Sequence, residues 1–67
     1  MTNAITWNTT DLDMARIARI LGPDHVAWIK AQPSPAIVAG CRAVGAWDAN
    51  NRELHAAYRS LQRLLVA

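Results

Sequence analysis

Three side chains here are of types that often carry chemistry, Cys41, His25 and His55, and their placement speaks against each of them using it. Nucleophilic catalysis needs a thiolate or hydroxyl, a base within hydrogen-bond reach, and a third group that orients the base. Cys41 stands alone within the apolar stretch 36–47, where a free cysteine usually behaves as a small buried hydrophobe. His25 follows Asp24 directly, and neighbours along a helix do not face each other. His55 lies between Leu54 and Ala56. Both histidines read as partly exposed polar residues. A metal wants three or four ligands at characteristic spacing, and these three are scattered. No CxxC, HExxH or glycine-rich phosphate loop occurs. The expectation is a protein that is not an enzyme, takes no metal or cofactor, and works by binding.

Binding chemistry is better represented. Six of the seven basic residues are arginine, and three tryptophans occur in 67 residues. Trp, Tyr and Arg are the side chains enriched at interface hot spots. The candidates for partner contact are Trp28, Arg42, Trp47, Tyr58, Arg59 and Arg63. Arg52, Arg59 and Arg63, with His55, fall on a common stripe if residues 51–66 are helical. Such a stripe suits phosphates or an acidic protein surface. It also suits no partner at all. Asp11, Asp13, Asp24 and Glu53 fall in first turns, whereas Arg19, Lys30, Arg59 and Arg63 fall toward C-terminal halves, the distribution that helix dipoles favour unaided.

The elements that must hold these residues are helices. The chain reads as an all-α bundle of three to four short helices, at about 10–21, 23–31, 35–47 and 51–66, following an N-terminal arm at 1–9 that carries Ile5 and Trp7. The domain itself is 10–67. Thr10 with Asp13 has capping-box form, and Met14, Ile17, Ala18 and Leu21 then recur at helical spacing. Gly22 ends that helix and Pro23 opens the next, where its missing N–H costs nothing. Val26 and Ile29 take one side of the second helix, His25 and Trp28 another. Ser34 and Pro35 repeat the cap-and-proline device. The third helix carries small-residue stripes, Ala36/Gly40/Ala43 and Ala39/Ala43/Ala46, with Ile37, Cys41 and Val44 supplying bulk. Glycine costs about 1 kcal/mol in a helix interior, so Gly40 and Gly45 imply close approach by another helix. Asn50 with Glu53 reads as the cap of the fourth helix, in which Leu54, Ala57, Leu61 and Leu64 sit at a and d spacing.

Size adds a constraint. Of 35 hydrophobic residues 13 are alanine, and phenylalanine is absent. Below roughly 70–80 residues one core seldom supplies more than about 3–5 kcal/mol. Neither a disulfide nor a metal is on hand as a staple, so a homodimer is expected, with Leu54, Ala57, Leu61 and Leu64 as a helix seam either across its axis, as a dimer seam, or inside one subunit. No segment approaches the ~20 apolar residues of a membrane span. Residues 1–10 lack the pattern of a secretory signal, and with the lone thiol this points to the cytoplasm.

A helix-turn-helix reading is the alternative. Residues 18–22 look like the end of a first helix and its turn, yet the second helix would then offer only Asp24, His25, Lys30 and Gln32 to base edges around an apolar centre. Nucleic acid is the less favoured partner.

The blocks Leu12–Leu21 and Asn51–Leu65, together with the chain's size and lack of catalytic motifs, resemble the short helical early proteins by which bacteriophages block host machinery. Among these are dimeric anti-activators that bind a quorum-sensing transcription activator and a type IV pilus assembly ATPase. The resemblance is one of general character over most of the chain, without signature residues. It implies a homodimer that sequesters a host protein such as a transcription activator, and it carries no site residue across.

Overall fold

A computed structural model of the chain describes residues 12–66. The arm at 1–9 with Ile5 and Trp7, and the capping role of Thr10, lie outside the described residues. Four helices follow one another: α1 (Met14–Leu21), α2 (Pro23–Lys30), α3 (Pro35–Asp48) and α4 (Arg52–Val66). Among the described residues there is no strand, and the architecture is a small all-α bundle.

Each helix boundary has a local chemical cause. α1 starts at Met14 and not at Thr10, because Asp13 is its N-cap: its backbone is extended (φ −78°, ψ 168°) and its carboxylate accepts from the Arg16 amide at 2.8 Å. The preceding residue is tied elsewhere, since the Leu12 amide donates to Ser60 Oγ in α4 at 3.0 Å. Ser60 is buried, so this bond gives its hydroxyl oxygen a donor while tying the segment before α1 to α4. Gly22 ends one helix and begins another. Its amide donates to Ala18, its carbonyl accepts from Val26, and its φ of 93° with ψ of 135° is a backbone region for which only glycine is suited.

α3 begins at Pro35 after its N-cap Ser34, as expected; the Ser34 carbonyl accepts from Val38, while its side chain makes no capping bond. At the other end two asparagines divide the work expected of one. Asn50 takes the left-handed conformation (φ 62°) and closes α3 in a Schellman arrangement, with Asn51 N–H bonded to Ala46 and Asn50 N–H to Trp47. Asn51, not Asn50, caps α4, its side-chain oxygen accepting from the Leu54 amide at 3.1 Å.

The core lies where α3 and α4 pack along each other, with α1 on α4 and α2 between α1 and α3. Ile17, Val26, Ile29, Ala39, Ala43, Ala46, Tyr58 and Leu61 form it, and Leu12, Ala18, Leu21, Val38, Leu54 and Leu65 pack at its margin. α3 contributes its small side: Ala39 and Ala43 are fully buried. A Cβ at Gly40 would stand 2.6 Å from Nε2 at the end of the Gln62 side chain of α4, so that glycine leaves room for Gln62. Gly45 has nothing within 4 Å of its Cβ position.

Two expectations are overturned here. Cys41 is exposed, not buried, and Ile37 and Val44 beside it are 65% and 59% exposed. At 3.6 residues per turn the bulky stripe falls roughly opposite the alanine stripe, so choosing alanine for the α4 contact sends the bulk outward. Of the two placements open to the leucine seam, the internal one holds and the dimer seam does not: Ala57 and Leu61 are fully buried within a single chain and Leu54 packs against the core, leaving Leu64 exposed.

The two glycines predict opposite responses. Gly22→Ala should lower unfolding free energy by about 1–3 kcal/mol through backbone strain, and Gly45→Ala, measured at concentrations where the chain is monomeric, should raise it by up to about 1 kcal/mol through helix propensity. Urea unfolding followed by circular dichroism checks both signs.

Candidate partner-binding surface

The residues singled out for partner contact separate into three groups. The first is built by three helices. On α2, His25 and Trp28 are three residues apart and therefore on one side; their rings stack with centroids 5.9 Å apart and planes 8° from parallel. His25 Nε2 lies 2.9 Å from the Tyr58 hydroxyl of α4, the two rings meeting edge-on at 84°. From α3, the Arg42 guanidinium sits 5.1 Å above the Trp28 ring. His25 is partly exposed, as expected, and it also connects α2 to α4. Tyr58, expected at the surface, is buried, because its ring faces the core while its hydroxyl meets His25.

The second group centres on Trp47 at the end of α3. His55 of α4 lies against it, centroids 4.8 Å apart, and the Arg52 guanidinium is 5.3 Å from the indole centroid. His55 Nδ1 donates to the Ala43 carbonyl at 2.9 Å. A carbonyl only accepts, so the proton is on Nδ1. The second histidine also joins two helices.

Trp28 and Trp47 are 47% and 45% exposed, and each carries an arginine over its ring. Around α3 they lie on opposite flanks of the outward stripe of Ile37, Cys41 and Val44. An open groove of about 440 Å³ runs between α3 and α4 along Cys41, Arg42, Gly45, Ala46, Ala49, Leu54 and Tyr58.

The third group is the basic stripe of α4. Arg52, Arg59 and Arg63 fall within about 40° of one another around that helix and along roughly 16 Å of its length; all three are exposed. His55, expected with them, turns inward to Ala43. Arg59 and Arg63 share this exposed stripe with Arg52, which itself lies over Trp47.

Sequence reasoning missed the two histidine bridges and Arg52 as the partner of Trp47. The i, i+3 spacing of His25 and Trp28 was a usable signal for the first. The others depend on how α3 and α4 are registered, which no local pattern encodes. Among the described residues no three His, Cys, Asp or Glu side chains gather as a metal site would require, and no helix is long and apolar enough to cross a membrane.

Tyr58→Phe should cost about 1 kcal/mol of stability, the usual net worth of such a hydrogen bond, while leaving the helical circular dichroism unchanged. Urea titration of the two proteins is the measurement. No loss would mean that the His25 bridge contributes nothing.

No protein-family model, curated protein or solved structure matches the chain significantly.

Proposed function

We propose that this protein is a non-enzymatic binding module that captures and sequesters another protein through the arginine-faced tryptophans on the flanks of α3. The observation that carries this reading is the pair of half-exposed indoles, Trp28 under Arg42 and Trp47 under Arg52. An exposed indole costs free energy that contact with a partner recovers, and tryptophan and arginine dominate interface hot spots. A guanidinium lying over an aromatic ring keeps its N–H edge available to a carboxylate. The favoured partner surface is therefore apolar at its centre and acidic at its rim. A host regulatory protein such as a transcription activator, as the anti-activator resemblance implies, is the class we favour.

The arginine stripe of α4 supports a second reading, in which Arg52, Arg59 and Arg63 lie along nucleic-acid phosphates. The helix-turn-helix form of that reading draws little support from α1 and α2. A single residue joins them, Val26 and Ile29 of the would-be reading helix are buried, and His25 is engaged with Tyr58.

Affinity capture from bacterial lysate, read by mass spectrometry and repeated with purified partner, separates the readings. Trp28→Ala with Trp47→Ala should abolish capture of a specific protein while Arg59→Glu with Arg63→Glu weakens it less. Undiminished capture by the double tryptophan variant would contradict the proposal. Binding to duplex DNA that falls with salt at a logarithmic slope near about −2.7, the value for three phosphate contacts, would favour the second reading.

A further inference from the structure

Two features of α3 have no explanation within the chain. Gly45 lies in the helix interior, where glycine costs about 1 kcal/mol, yet nothing stands within 4 Å of its Cβ position. Asp48 is the last residue of α3, where a carboxylate meets the negative end of the helix dipole. The last turn of α3 holds no basic residue to offset it. At the opposite end the helix lacks an acidic residue in its first turn and a side-chain cap, since Ser34 makes no such bond and Pro35 has no amide hydrogen. The N-terminus of α3 therefore lacks a negative group, and its C-terminus has one that it does not favour.

A second α3 running antiparallel answers all of these features together. We infer that the outward face of α3 is the interface of a homodimer, with a two-fold axis passing beside Cys41. At 3.6 residues per turn Ile37, Cys41, Val44 and Asp48 fall within about 60° of one another, a single seam along the helix. A two-fold at residue 41 sets position 37 against position 45 of the second copy. Ile37, 65% exposed, then enters the space left by the glycine. Val44 stays within the seam beside the axis, and Asp48 meets the N-terminus at Ser34, which has no side-chain capping bond. The exposed Ile37 thus faces the open glycine while the carboxylate faces the positive end of a helix dipole. Because a two-fold interface is isologous, each of these contacts occurs twice. The pairing uses neither the arginine stripe of α4 nor the tryptophan flanks, so it stands whether or not the partner reading above does.

Sedimentation equilibrium of the full chain at micromolar concentration tests the inference, together with crosslinking by a short bis-maleimide at Cys41. The wild-type protein should sediment at twice its 7.4 kDa monomer mass and yield a covalent dimer through Cys41. Val44→Arg, a change at an exposed position, should keep its helical circular dichroism. It should weaken dimerisation by at least about a hundredfold, since the symmetry brings two unpaired charges into the interface. Asp48→Asn should weaken it less. Leu64→Arg, on α4, should leave it unchanged and serves as the control. A folded wild-type monomer at 100 times the working concentration would overturn the inference. So would a dimer that resists Val44→Arg and fails to crosslink at Cys41, because its interface would lie elsewhere.

Discussion

Everything in this structure depends on how closely α3 can lie against α4. With no phenylalanine and 13 alanines, the chain cannot fill a wide space between helices. It narrows the space instead. Ala39 and Ala43 bring the α3 backbone toward α4, and Gly40 admits Gln62 where even a methyl group would collide. Protein interiors tolerate few voids, so alanine on one side demands proximity, and proximity lets Leu61, Ile17 and Ile29 complete the core. Polar bridges then fasten the layers: His55 to the Ala43 carbonyl, His25 to Tyr58, and the Leu12 amide to Ser60. Each joins residues from different parts of the bundle, and each satisfies a group that the packing has partly removed from water.

The same constraint determines the surface. A helix that spends its small side on the core has only its large side left for solvent. Ile37, Cys41 and Val44 are therefore exposed because of the packing, and the flanking indoles of Trp28 and Trp47 continue that apolar surface to either side. The proposed function by binding draws on this economy in a physical sense. A small chain that faces apolar groups outward gains stability from anything that covers them, whether a second copy or another protein.

Much of the fold was legible from local signals. Gly22 before Pro23, Pro35 after Ser34, and the apolar recurrence at Ile17 and Leu21 are short-range patterns whose physics acts within a turn or two. The errors arose where two local solutions were available. Asp13 could be the third residue of a helix capped at Thr10 or a cap itself, and the Leu12–Ser60 bond accompanies the latter. Asn50 and Asn51 were interchangeable on pattern, and only the left-handed turn separates their roles. The site was less legible than the fold. Periodicity shows that α3 has a small side and a large side, but the usual burial of free cysteine suggested that Cys41, on the large side, lies in the core. Tyr58 and the two histidines look like surface residues until the register of α4 places them between helices.

The inward alanine face is the claim on which the rest of the account stands, and nuclear Overhauser contacts between side-chain methyl groups report on it directly. In isotope-edited spectra restricted to contacts within one chain, Ala39 and Ala43 methyls should show cross-peaks to Leu61, and Ile37 and Val44 methyls none to Leu61 or Ile17. Cross-peaks from Ile37 or Val44 to Leu61, with Ala39 and Ala43 giving none, would mean that α3 is turned the other way and that the surface described here is the core.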